Sequence, residues 1–445
     1  MDTPICDFVR RYAQSGALRC HMPGHKGQAL LGMEGLDITE IAGADSLYEA
    51  DGIIAQSEEN AAALFGSSRT LYSTEGSSQC IRAMLYLCLN CRARGARPVI
   101  VAARNVHKAF VFAAALLDFE IVWLWPQNIS SLCACEVSAE TLEKTLSGLD
   151  APPAAVYITS PDYLGGMADI TMLAKVCHAH GTLLAVDNAH GAYLRFLSPS
   201  LHPMDLGADI CCDSAHKTLP VLTGGAYLHI SKHTPAAFAQ QAKQAMALFG
   251  STSPSYLTLM SLDLCNAYLA DGYAQRLAET VKRIDSLKQQ LTNRSWHVLP
   301  GDPLKLTLDA CAAGTTGIAL AQRLREHGIE CEFADPETLV LMLTPETTNE
   351  TLARLEAALS ENHAAARTWP VLPAAKGERV LSMREAMFAP HETIAAKDAL
   401  GRICGAPTVS CPPAVPIVVS GEVITKEALE LFAHYGMDKV DIVKA

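Results

Sequence analysis

The segment Asp213-Ser214-Ala215-His216-Lys217-Thr218-Leu219-Pro220 follows the apolar run Ile210–Cys212, and its reading decides the fold. It sets a lysine at the C-terminal end of a predicted strand, among small and hydroxyl residues, at the mouth of a sheet rather than on a solvated face. A lysine amine made nucleophilic by desolvation can form a Schiff base there. Earlier in the chain the run Leu183–Val186 enters Asp187-Asn188-Ala189-His190-Gly191-Ala192, a second strand that ends in a carboxylate. One such acid often only caps the next helix. Two such ends point to an open α/β sheet, in which ligands bind outside the carboxyl ends of the strands, so Asp187 and Lys217 are expected to converge on one pocket. An aspartate beside a Schiff-base lysine is what pyridoxal phosphate requires: the lysine binds the aldehyde and the aspartate keeps the ring nitrogen protonated.

Outward from these two ends, residues 55–230 alternate short apolar runs with longer helix-compatible stretches, the pattern of a doubly wound α/β sheet. Strands are predicted at Pro98–Ala102, Ile121–Leu124, Ala155–Thr159, Leu183–Val186, Ile210–Cys212 and Ala226–Ile230, and helices at Ser78–Arg94, Val106–Leu117 and Ile170–His180. The strands carry almost no internal charge, as expected where helices cover both faces of a mostly parallel sheet. After Tyr256 a long helical region, Leu257–Thr292, leads to a smaller α+β part with strands at Lys305–Asp309 and Thr338–Leu343 and helices at Thr315–His327 and Asn349–Asn362. A proline-rich segment, Pro407–Pro416, interrupts that part.

The phosphate of the cofactor needs a cradle, and Glu75-Gly76-Ser77-Ser78, just before the first of these helices, supplies one. Glycine lets the backbone approach, the helix N-terminus offers free N–H groups, and the two hydroxyls add donors. His107, in Arg104-Asn105-Val106-His107-Lys108, follows another strand end and is placed to stack on the cofactor ring. No structural metal is expected. Cys88 and Cys91 lie in a predicted helix without a second pair at zinc-site spacing, Cys211 and Cys212 lie on a buried strand, and Cys177, His178 and His180 do not share a helix face.

The 445 residues, 49% hydrophobic and 18% charged, exclude a disordered or fibrous protein. A net charge of −12, from 35 basic and 47 acidic side chains, argues against a nucleic-acid or anionic-membrane surface and is compatible with cationic small molecules. Fifteen cysteines, an odd number spread over the whole chain, read as reduced thiols of a cytoplasmic protein. The start, Met1 to Asp7, does not read as a signal peptide, and the apolar stretch Ala109–Leu117 is too short to cross a membrane.

With these residues on the page, the chain resembles the ornithine/lysine/arginine decarboxylase family, pyridoxal-phosphate enzymes of the aspartate-aminotransferase fold (fold type I). The resemblance rests on His21-Met22-Pro23-Gly24-His25-Lys26-Gly27, Asp37-Ile38-Thr39-Glu40, Leu64-Phe65-Gly66, Gly76-Ser77-Ser78, Asn105 to Lys108, Thr159-Ser160-Pro161, Asp187 with Ala189 to Ala192, Ser214 to Pro220 and Ser253 to Tyr256. It continues through Met383 to Ala386 and Ala399 to Ile403. The resemblance implies a large domain with a mostly parallel seven-stranded sheet and a small α+β C-terminal domain, divided as an arm and interface segment over 1–55, a cofactor domain over 56–290 and the small domain over 291–445. It implies Lys217 as the Schiff-base lysine, Asp187 as partner of the pyridine nitrogen and His107 stacked on the ring. Gly76, Ser77, Ser78, Ser214 and His216 would hold the phosphate, His190 belongs to the same cofactor set, and Thr252 and Ser253 would reach the phosphate from a neighbouring subunit, so that a homodimer or higher homo-oligomer shares its active sites.

The chain departs from the family pattern at Glu75, where asparagine is usual, at Asn188, where glutamate is usual, and in the segment Ser410 to Pro416, and it is expected to lack the amino-terminal wing domain of the longer members. The expected reaction is decarboxylation of a basic L-amino acid (arginine, lysine or ornithine) to a polyamine or its precursor, with Lys217 or His216 returning the proton. Two other readings stay open at this point: another pyridoxal-phosphate reaction on an amino acid, by transamination or as a lyase, and a non-catalytic scaffold of the same fold.

Overall fold

The computed structural model describes residues 1–90, 97–126, 131–359, 366–369, 371–407 and 413–444. Cys91, the far ends of the predicted helices Ser78–Arg94 and Asn349–Asn362, and residues 408–412 of the proline-rich segment lie outside the described residues.

Seven strands form one sheet: β1 (Arg69–Ser73), β2 (Val99–Ala103), β3 (Glu120–Leu124), β4 (Ala155–Thr159), β5 (Leu183–Asp187), β6 (Ile210–Asp213) and β7 (Ala226–Ile230), in the order β1-β7-β6-β5-β4-β2-β3. The pairs β2–β3 and β5–β6 are parallel, and β7 runs antiparallel to both of its neighbours. The six predicted strands are all present within a residue of their expected ends. The unpredicted one is β1, whose sequence Arg-Thr-Leu-Tyr-Ser is no apolar run; it pairs with β7 alone, at the sheet edge, and buries four of its five residues.

The chain gathers into two compact units. The first comprises residues 1–94, 154–157 and 170–276. In it β5, β6 and β7 are buried almost throughout, which is why their sequences are apolar up to the last residue of β5 and β6. The helix Ser77–Asn90 turns Cys80, Ile81, Met84, Leu85 and Cys88 inward, a spacing close to the helical repeat. The predicted helical region after Tyr256 is two helices, Tyr256–Ala270 and Tyr273–Asn293. The break falls at Asp271-Gly272, where Gly272 takes a left-handed φ of 67° and a hydrogen bond from the Asp271 N–H to the Ala267 carbonyl closes the first helix.

The second unit comprises residues 95–153, 158–169 and 277–445. It contains β2 and β3, a three-stranded sheet of β8 (Lys305–Asp309), β9 (Phe333–Ala334) and β10 (Thr338–Met342) in the order β8-β10-β9, and an antiparallel pair of β11 (His391–Ala395) and β12 (Lys439–Val443). The helix Lys426–His434 packs Ala428, Leu431 and Phe432 into a core with Ile424, Val440 and Ile442. No helix among the described residues is long and apolar enough to cross a membrane.

Candidate active site

Two adjacent strand ends of the first unit carry the chemistry. β5 delivers Asp187 and β6 leads, through Asp213 and Ser214, into the short helix Ala215–Thr218 that presents Lys217. The strands pair so that Asp187 lies opposite Cys212, and the Asn188 N–H donates to the Cys212 carbonyl at 3.0 Å. Lys217 Nζ lies 2.9 Å from His190 Nε2. Asp187 and Lys217 thus follow from neighbouring, paired strands, with His190 against the lysine.

Asp187 is 2% exposed. Its Oδ2 accepts from the Tyr157 hydroxyl at 3.0 Å and its Oδ1 from the Ala189 N–H at 3.3 Å, with the Cys212 thiol at 3.6 Å. Burial pushes its carboxyl above the usual range, opposed by the charge of Lys217 and by the Tyr157 hydrogen bond. A buried acid held this way is stabilised as a carboxylate by any cation brought against it, such as a protonated ring nitrogen. Tyr157 escaped the sequence reading because it looks like one more large residue in an apolar strand; only the β4–β5 neighbourhood shows that its hydroxyl faces an acid.

The glycine-serine turn predicted as a phosphate cradle, Gly76, Ser77 and Ser78, lies against Ser214. Gly76 has a φ of 76°, a conformation that costs any other residue about 1–2 kcal/mol, and its N–H donates to the Gly224 carbonyl at 2.7 Å. Ser77 and Ser78 open the helix Ser77–Asn90, and the Ser214 hydroxyl donates to the Ser77 hydroxyl at 2.8 Å. Two hydroxyls from separate elements, a helix N-terminus and a glycine turn form a donor set that suits a phosphate. His216 meets the Gly225 carbonyl twice, through its backbone N–H at 3.2 Å and its ring Nδ1 at 3.0 Å. Thr252 and Ser253 are exposed, and the Ser251 N–H donates to the Glu75 carboxylate of the same chain. The acid that replaces asparagine at position 75 thus tethers the 251–253 loop to the cradle loop.

His107 belongs to the second unit. It caps the helix Lys108–Leu117, its Nδ1 accepting from the Ala109 N–H at 3.1 Å. The turn that carries it is clamped. Arg104 donates to the carbonyls of Pro416 and Ile417 at 3.1 and 2.9 Å and to the Glu422 carboxylate at 3.3 Å, and it lies over the rings of Trp123 and Trp125. The Lys108 N–H donates to the Ala414 carbonyl at 2.9 Å. In the same unit the chain leaving β4 is held by Asp162, whose Oδ1 accepts from the Leu164 and Gly166 N–H groups at 2.9 and 2.7 Å. Burial raises the Asp162 carboxyl to about 6.

Among the described residues, His202, Cys211 and Asp213 bring potential ligand atoms within 4.8 Å of one another. The Nε2 atoms of His202 and His229 donate to the Asp213 carboxylate, and burial pushes the Cys211 thiol well above its ordinary value.

A sheet of this order, with a lysine and an acid on neighbouring strand ends beside a glycine-serine cradle, defines the class of fold type I pyridoxal-phosphate proteins. The particular family follows from comparison. The model of the Orn/Lys/Arg decarboxylase major domain matches residues 3–312, and the chain belongs to that family. It is 29% identical over 463 residues to an uncharacterized protein of Bacillus subtilis, covering 97% of this chain and 93% of that one. It is 28% identical over 464 residues to an arginine decarboxylase of Halalkalibacterium halodurans, covering 96% and 92%. The crystal structure of a lysine decarboxylase from Francisella novicida superposes with a TM-score of 0.82 at 17% identity, covering 99% of this chain and 81% of that one, and shares the fold.

Proposed function

We propose that the chain decarboxylates a basic L-amino acid, arginine, lysine or ornithine, with pyridoxal phosphate as cofactor. The observation that carries the reading is the buried carboxylate of Asp187 beside the Lys217–His190 pair at the end of β5 and β6. Family membership and the arginine decarboxylase relative support the reaction and the substrate class.

When bound, the cofactor supplies an electron sink for the pair left at Cα as CO2 departs. The chain's own residues do the rest. Asp187, fixed by Tyr157 and the Ala189 N–H, would hold the ring nitrogen protonated. His190, 2.9 Å from Lys217 Nζ, is placed to take the proton that the lysine must lose before it is a nucleophile. Gly76, Ser77, Ser78, Ser214 and His216 would bind the phosphate, and His107 would lie on the ring face, as the family resemblance assigns them. Lys217 or His216 would return a proton to Cα, giving a primary amine.

The same reading makes a homodimer the smallest complete unit, with Thr252 and Ser253 serving the partner's phosphate. Leu18, Leu30 and Leu31, exposed by 90%, 84% and 85%, support an apolar interface along the amino-terminal arm. It keeps the division into an arm over 1–55, a cofactor domain over 56–290 and a small domain over 291–445. The free thiols of all described cysteines support a reducing, cytoplasmic setting. The test is product analysis of purified protein supplied with pyridoxal phosphate and each of the three amino acids. CO2 and the matching amine are expected, whereas a keto acid without CO2 would assign the site to transamination.

A further inference from the structure

Behind the two strand ends lies a buried polar cluster that the proposed reaction does not use. Asn188 Nδ2 donates to Asp213 Oδ1 at 2.7 Å, which links the residue after Asp187 to the residue before Ser214. Asp213 Oδ2 accepts from His202 Nε2 at 3.0 Å and from His229 Nε2 at 3.2 Å. His202 Nδ1 accepts from the Met204 N–H, and His229 Nδ1 meets the Thr70 hydroxyl at 2.8 Å, so the hydrogen bonding assigns both rings as Nε2–H donors. Asn188, Asp213, His202 and His229 are all 0% exposed, and Phe65 packs against both imidazole rings. Burial opposes the charge on Asp213, and the two histidines outweigh it and hold the carboxyl below the usual range.

We infer that Asn188, Asp213, His202 and His229 form a positioning cluster that holds the ends of β5 and β6, and with them Asp187, Ser214 and Lys217, in the relative placement the cofactor needs. The inference rests on the proposed function. Its physical basis is that all four side chains are fully buried, so a shift of either strand end would cost the buried bonds between Asn188, Asp213 and the two histidines. Position 188 is also where the family usually has glutamate; in this chain the carboxylate of the pair is on the other strand, at Asp213, and Asn188 is its donor.

That division of roles can be reversed. Asn188→Asp sets two carboxylates face to face, while Asn188→Asp/Asp213→Asn exchanges donor and acceptor and still leaves an amide oxygen for both histidines. The experiment measures the dissociation constant of pyridoxal phosphate by absorbance titration, and the melting temperature of the apoprotein, for wild type, Asn188→Asp, the double variant and Asn188→Ala. Asn188→Asp is expected to weaken cofactor binding at least about tenfold, with the double variant recovering most of the loss. Asn188→Ala, which introduces no charge and serves if Asn188→Asp fails to fold, is expected to weaken it about tenfold through the lost link. A cluster that is only structural would lower the melting temperature and leave the dissociation constant of the folded protein unchanged. Wild-type affinity in Asn188→Ala, or a double variant no tighter than Asn188→Asp, overturns the inference. A wild-type protein that takes up no pyridoxal phosphate removes the proposed function, and this inference with it.

Discussion

Asp162 gives the structure a pH dependence that can be worked out in advance. Its carboxyl is 7% exposed and burial raises it from 3.8 to about 6. A folded-state value above the unfolded one means that the folded protein holds the proton more tightly. Stability therefore falls as pH rises through the window from about 4 to about 6 and levels off above it. The full span is about 3 kcal/mol at 1.36 kcal/mol per unit, of which about 2 kcal/mol falls between pH 4.5 and 7.5. Asp162→Asn keeps an oxygen for the Leu164 and Gly166 N–H groups but has nothing to ionise. The variant should gain on wild type by about 2 kcal/mol as pH rises from 4.5 to 7.5, or about 2 °C in the difference between their melting temperatures. Paired thermal melts across that range read the difference directly, and cancel every other titrating group that the two proteins share. A difference that stays flat, or that moves in favour of wild type with rising pH, would refute the reasoning that burial dominates at this carboxyl.

Three further outcomes are expected. Tyr157→Phe removes a hydrogen bond to a buried carboxylate, which is worth about 1.5 kcal/mol or more; Asp187 should rise further, and an absorbance titration should show cofactor binding at least about tenfold weaker. Glu422→Ala leaves Arg104 buried beside Trp123 and Trp125 without its carboxylate, and denaturant unfolding should show a loss of about 3–5 kcal/mol. Gly76→Ala meets no steric obstacle but must adopt the left-handed φ of 76°, so it should lose about 1–2 kcal/mol of stability by denaturant unfolding and loosen phosphate binding in a competition titration.

What the sequence alone made legible was local. A strand end followed by a lysine or an aspartate is a pattern of a few consecutive residues, and so the placement of Asp187 and Lys217 at strand ends, and of Gly76 to Ser78 at a helix start, is legible before any pairing is known. The helix break at Asp271-Gly272 is also written in adjacent residues, but the charged positions that continue on either side of it mask it. Tyr157, His202, His229 and Asp213 were not legible in that way. Their roles arise from strand register and from a loop returning to the sheet, which place side chains from distant parts of the chain around one carboxylate. β1 is not legible because an edge strand need not be uniformly apolar: Arg69 and Thr70 are its first two residues, and Thr70 is spent on a hydrogen bond to His229.

The central claim is that Lys217 and Asp187 serve a pyridoxal-phosphate-dependent decarboxylation of a basic amino acid. Release of CO2 from carboxyl-labelled arginine, lysine and ornithine, by purified wild type loaded with pyridoxal phosphate and by Lys217→Ala treated alike, tests it most directly. The account predicts release from at least one of the three with wild type, and loss of that release together with the bound chromophore in Lys217→Ala. No release from any of them by a wild-type protein that carries the chromophore would contradict it.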